Sequence, residues 1–218
     1  RMKHISNEGH EALLDSFEES FGAVEETRFT TIGPTIGSTM KQKAIIALGI
    51  ALVFIVFYIA FAFRHVPRHL SPWRFGMGAI AALVHDVLIT VGIFVVLGAV
   101  LGIEIDALFV TALLTILGFS VHDTIVVFDR VRENLKNQRT EKFEKVANDA
   151  LNQTLARSMN TSISTLFTVA ALYLLGADSI EWFLLALLIG IISGTYSSIF
   201  TATPLLVWWT NRKERKSS

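Results

Sequence analysis

Two tripeptides of identical composition, Val84-His85-Asp86 and Val121-His122-Asp123, sit inside long apolar runs. A carboxylate at the centre of a bilayer costs roughly 2.5 to 3.5 kcal/mol on insertion scales, so it must face other helices or a wet cavity. The chemistry such a group can do is to bind and release a proton: burial favours the neutral carboxyl and a nearby cation favours the charged one. For Asp123 the candidate cation is Arg157, at the entry to a later apolar run. The alternative reading is a structural ion pair, or a cap for a locally broken helix. Asp86 has no second charge in view, because His85, its neighbour on a helix, is expected to point elsewhere. For that acid a structural role competes evenly with a functional one. His122 is suited either to a proton relay or to plain hydrogen-bond donation. Asp129, Arg130, Arg132 and Glu133 follow at the end of the run and read as solvated interface charges.

The elements that must position these residues are apolar and long. AIIALGIALVFIVFYIAFAF, residues 44–63, is twenty residues without a charge, enough to cross about 30 Å of hydrocarbon. Further spans are expected at about 75–103, 107–128, 155–176 and 182–209, giving five transmembrane helices. At about 1.5 Å per residue, Asp86 falls near the bilayer middle and Asp123 about 8 Å from the charged edge of its span. Residues 1–40 read as water-soluble. Leu13, Leu14, Phe17 and Phe21 share a helical face that Gly22 stops, VEETRFTTI has the β-branched content of a strand, and GPTIG is a turn or hinge. One helix and one strand cannot close a core, so more of this domain is expected upstream. RMKHISNEGHE has no signal-peptide pattern, and the chain reads as a fragment of a longer protein.

Composition agrees with a membrane protein and excludes several function classes. Of 218 residues, 52% are hydrophobic and 17% charged, too apolar for an ordinary soluble domain. The formal net charge is zero, which gives no basis for nucleic-acid binding. There is no Cys and no HExxH-type pattern, and GPTIGST lacks the Lys of a nucleotide-binding P-loop. No nucleophile, base and orienting group can be assembled, so an enzyme is not expected.

Lys and Arg crowd three segments: Arg64, Arg68 and Arg74; residues 129–160; and the tail from Arg212. GIEID and GADSIE have none. By the positive-inside rule the tail and the 129–154 loop are cytoplasmic and residues 1–40 extracytoplasmic. Trp73, Trp182, Trp208 and Trp209 fall at span ends, where indole rings favour the interface. Within the loop, Phe143, Val146, Ala150 and Leu151 can share one helical face, which suits either the headgroup region or packing on neighbouring protein. Ala186, Gly190, Gly194, Ser198 and Ala202 recur every four residues in the last span. Such a stripe permits close helix approach, within the chain or with a partner subunit. Pro204 is expected to kink that helix.

GFSVHDTIVVFDRVREN, residues 118–134, closely resembles the fourth-helix signature of the SecF family, bacterial protein-export membrane proteins that partner SecD. GPTIG, ALVHDVLIT at 82–90, IEID at 103–106 and LNQTLARSMNTS at 151–162 match the same family in order, from about Val24 onwards. The resemblance implies an α-helical membrane protein whose five spans are the second to sixth of an RND-like six-helix bundle. Residues 1–40 would then be the end of a ferredoxin-like α/β extracytoplasmic domain, with the first span and most of that domain lying outside this chain. It implies an accessory subunit of the Sec translocase in the bacterial cytoplasmic (inner) membrane, promoting polypeptide export with the proton gradient as energy source and no cofactor. SecD, the SecYEG translocon, YajC, YidC, membrane lipids and the translocating polypeptide are the partners implied. Asp123 takes the acidic position of the fourth-helix motif and Arg157 the basic position before the next span, both tied to a proton path, for which His122 and Asp86 are further candidates on the reading of the residues alone. Where many SecF sequences carry Asn before that Asp, this chain has His122. Two other functions use the same features: a proton-driven exporter of small molecules or lipids, and a passive scaffold whose acids are only structural.

Overall fold

The computed structural model describes residues 7–22, 34–64, 72–103, 105–138 and 140–217. The described residues are almost entirely helical and divide into two compact units, Arg1–Ala47 and Leu48–Ser218. In the first, helix α1 (Asn7–Phe21) ends at Gly22, whose φ of 81° suits a residue without Cβ and whose N–H donates to the Glu18 carbonyl. Phe17 and Phe21 form a tilted pair on an exposed face. The expected strand at 24–32 lies outside the described residues.

Five helical stretches are long and apolar enough to cross a membrane. They are α2 (Pro34–Ala62), α3 (Pro72–Leu101), α4 (Ala107–Asn137), α5 (Phe143–Leu175) and a composite last span. The composite consists of a 3-10 turn at Asp178–Ile180, α6 (Glu181–Ser197), a π-helical segment at Ser198–Ala202 and α7 (Thr203–Ser217). Asp106 caps α4, accepting from the Phe109 N–H at 3.1 Å. Residues 129–154 do not form a separate loop. α4 carries its helix on through the charged residues to Asn137, and α5 begins at Phe143. The amphipathic stretch is packed on protein: Phe143, Val146, Ala147 and Ala150 are buried with Phe128, Val131 and Leu135.

The hub of the bundle is α6, which packs on α3, α4 and α5. α2 touches the bundle mainly through Leu48 and the Ile55 to Phe63 stretch, and its outward face of Ile50, Phe54, Phe57 and Phe61 is exposed, as lipid contact requires. Two apolar clusters hold the ends. At the charged end Phe63, Phe75 and Phe128 form a stacked and edge-on trio with centroids 5.2 to 6.2 Å apart. At the other end Phe94 meets Phe109 at 4.6 Å among Leu113, Ile116, Leu184 and Ile191.

Between the clusters, on all four of these helices, lies a polar layer. Asp86 and Thr90 stand on α3, Ser120, Asp123 and Thr124 on α4, and Ser158 and Ser162 on α5. Ser193 and Ser197 complete it on α6, with Ser198 at the start of the π-helical segment; all are buried. The small-residue stripe brings the backbones together here. A Cβ on Gly190 would fall inside the Ile116 side chain, and one on Gly194 would lie 3.0 Å from Ser120 Cβ. Ala186, Ser198 and Ala202 are likewise buried within the chain. The stripe thus packs inside this chain, the first of its two expected readings.

Pro204 acts differently from a simple kink. It has no N–H for the usual bond and its ring crowds the carbonyl four residues back. The preceding turn widens into the π-helical segment, and Thr203 Oγ1 donates to the Ser198 carbonyl at 3.2 Å. Overpacking the α4–α6 contact gives a test. Gly190→Val should lower the unfolding free energy of the detergent-solubilised protein by about 1–3 kcal/mol. Ile116→Ala should restore part of that loss when combined with it; strictly additive effects in denaturant titration would contradict the close approach.

Candidate functional site

Asp86 is fully buried, and its two oxygens are each served twice. Oδ1 accepts from Ser193 Oγ at 2.8 Å and lies 3.2 Å from His85 Nδ1; Oδ2 accepts from Ser120 Oγ at 2.5 Å and Ser197 Oγ at 2.8 Å. A carboxylate offers about four acceptor positions, so Asp86 is saturated. The local reason is helical spacing: Ser193 and Ser197 are one turn apart on α6 and both face α3. The Gly194 approach to Ser120 brings α4 close enough to add the third hydroxyl. The expectation that His85 points away from Asp86 is corrected. Its ring bends back to the carboxylate while about a third of its side chain stays exposed, stacked against Tyr196 with centroids 6.4 Å apart.

Asp123 has a looser setting. It is 6% exposed and accepts from Ser198 Oγ at 2.7 Å. Ser198 is the first residue of the π-helical segment, next to Ser197, so consecutive hydroxyls on one helix reach acids on two others. Two buried hydroxyl oxygens of the polar layer lack a protein partner. Thr124 Oγ1 is on the residue after Asp123, and Ser158 Oγ is one turn before Ser162, which accepts from Thr195 Oγ1 at 2.7 Å. Buried hydroxyls in this condition are normally satisfied by water.

The structure does not bring Arg157 to Asp123: Arg157 lies on an exposed face of α5, and Asp123 bonds Ser198 instead. His122, next to the buried Asp123 on α4, is exposed. Asp129 and Glu133 pair along the helix surface with Arg132 and Arg130, as solvated interface charges do. Arg132 also donates to the Ala62 carbonyl at 3.1 Å, tying the end of α2 to α4. Among the described residues no group of acidic and histidine side chains is arranged to hold a metal ion. Sequence reasoning missed Ser120, Ser193 and Ser197. The signal available was the i, i+4 pair of serines in an otherwise apolar span.

Five apolar helices around a buried layer of acids and hydroxyls define a multi-pass α-helical membrane protein with a polar interior. Residues 12–212 match the family described as protein export membrane protein SecD/SecF, C-terminal, and the chain belongs to that family. It is 54% identical over 207 residues to protein translocase subunit SecF of Thermobaculum terrenum, covering 94% of this chain and 64% of that one. It is 42% identical to the SecF of Synechocystis sp., over 100% of this chain and 67% of that one. The chain thus spans about two thirds of the length of these relatives. A crystal structure of SecDF in a form called super-membrane-facing superposes with a TM-score of 0.75 at 34% identity, over 98% of this chain and 27% of the other.

The hydroxyl cage makes a direct prediction about stability. Ser193→Ala and Ser197→Ala should each cost about 1.5–3 kcal/mol, the range for hydrogen bonds to charged groups. Thr111→Ala, which removes an exposed bond to the Ala107 carbonyl, should change little. Denaturant titration of the three variants in one detergent compares them, and equal small effects would show that the cage does not brace the bundle.

Proposed function

We propose that this chain is the membrane-embedded portion of a SecF-type protein translocase subunit, acting with a SecD-type partner to promote polypeptide export across the bacterial cytoplasmic membrane. The energy source in this reading is the proton-motive force, with no bound cofactor. The observation that carries it is the pair of buried acids braced by consecutive serines of one span, in a chain whose relatives are named protein translocase subunits. An intramembrane carboxylate is costly and usually marks an ion path.

The two acids divide the work. Asp86, saturated by three hydroxyls and a histidine, holds α3, α4 and the last span together. Asp123, with one hydroxyl partner and a slight opening, is the group that takes up and releases the proton. Arg157 and His122, both exposed and neither bonded to Asp123, join the path in this reading only through groups that the partner chain supplies. A proton on Asp123 weakens its hold on Ser198, and Ser198 begins the π-helical segment that joins α6 to α7. Proton transfer is thereby linked to the shape of the last span. Following the distribution of Lys and Arg, the α4–α5 connection and the tail are cytoplasmic and residues 1–40 extracytoplasmic. SecYEG, YajC, YidC and the exported polypeptide are the further partners this reading implies.

The test is secretion of a reporter protein by cells whose only copy is the full-length protein carrying Asp123→Asn, Arg157→Ala or Asp129→Asn, with membrane level and proton-motive force measured alongside. Asp123→Asn and Arg157→Ala should each reduce export at normal abundance, and Asp129→Asn should do little. Wild-type export by Asp123→Asn would leave the acids as structural braces, and an Asp129→Asn defect as severe as that of Asp123→Asn would sink the argument from burial.

A further inference from the structure

At the charged end of the bundle, away from the acids, α5 and α7 enclose a groove of about 790 Å3. Its walls are two helical stripes, Ala147 and Leu151 on α5 facing Pro204, Val207 and Trp208 on α7. At one end the walls turn polar. Asn211 Nδ2 donates to Glu144 Oε1 at 2.6 Å, Asn148 lies one turn along α5, and the Arg212 guanidinium stacks over the Trp208 ring at 5.1 Å. At the other end the apolar walls lead, one helical turn further on each side, to the exposed Leu155 and Phe200.

We propose that this groove binds one phospholipid with a phosphoethanolamine headgroup. The polarity profile is that of a lipid: the apolar walls suit an acyl chain, and the polar end stands where interfacial Trp and the charged helix ends place the headgroup region. The charges select among lipids. Among the described residues, the charged side chains lining the groove are Arg212 and Glu144, one of each sign. Arg212, with the Asn148 and Asn211 amides, suits the phosphate, and Glu144 accepts from a primary ammonium. A phosphatidylglycerol headgroup would set hydroxyls and an uncompensated negative charge against Glu144. A phosphatidylcholine trimethylammonium has no N–H to donate to it. The apolar wall and its opening towards exposed apolar residues set a membrane lipid apart from free phosphoethanolamine.

Native mass spectrometry of the full-length protein, released from membranes mimicked by equimolar dioleoyl phosphatidylethanolamine, phosphatidylglycerol and phosphatidylcholine, tests this without reference to export. One phosphatidylethanolamine should be retained about tenfold over phosphatidylcholine, the ratio expected for a hydrogen bond to a charged group. Glu144→Gln keeps an acceptor for Asn211 and should erase that preference while lipid is still retained; Arg212→Gln should lower retention of all three. Equal retention of the three lipids by the wild type, a preference for phosphatidylglycerol, or a preference untouched by Glu144→Gln would each overturn the proposal. Competition by soluble phosphoethanolamine as strong as that by the lipid would overturn the membrane source. A photocrosslinker at Val207 that captures a protein in place of lipid would show the groove to be a subunit contact and overturn it as well.

Discussion

A carboxylate in the middle of a hydrocarbon layer must have its partners supplied by protein, and the bundle is arranged around that requirement. Asp86 draws three hydroxyls from two other helices. Those hydroxyls are useful only if the helix backbones come within a few ångströms, which Gly190 and Gly194 allow. The small residues of the last span and the serines between them are therefore parts of one device. Apolar clusters then seal it at both ends, so the hydrogen bonds form where water does not compete. Membrane helices gain little from apolar burial against one another, since lipid tails are equally apolar. Close packing and buried hydrogen bonds must supply the specificity, and here both lie on α6.

The same argument explains how much could be read from the sequence. The five spans follow from length and hydropathy, and α2 to α5 and the composite last span lie close to their expected positions. The acids announced themselves because a charge inside an apolar run has few explanations. Which way each helix faces was not legible, because lipid-facing and interior faces are both apolar and the periodicity that marks a soluble amphipathic helix is weak. Serine is nearly neutral on hydropathy scales, so Ser120, Ser193 and Ser197 looked like filler. His85 was misjudged on helical geometry alone: its ring reaches an adjacent side chain that i, i+1 spacing would turn away. The charged stretch from Asp129 looked like a loop because charge ends a membrane span, yet charge does not end a helix, and α4 continues to Asn137.

The last span shows why local irregularity matters as much as the acids. Pro204 removes a backbone donor and widens the turn before it, and the widened turn starts at the residue that holds Asp123. Ser197, one residue earlier, holds Asp86 and still has regular α-helical geometry. Asp86 is thus fastened to the regular α-helical part of the span and Asp123 to its π-helical part. Segments of this π type are frequent at functional sites.

The number of partners that each acid possesses leads to the same division. Asp86 is fully buried and holds three hydroxyls from two other helices, so disturbing it would loosen three interhelical bonds at once. Asp123 has one hydroxyl to lose, and the unpartnered Thr124 and Ser158 oxygens of the same buried layer mark positions that water can fill. An acid that exchanges protons needs a route to water and a modest structural cost in either state. In the proposed proton coupling Asp123, slightly exposed and with one hydroxyl partner, is the better placed of the two, and the saturated Asp86 serves as the brace.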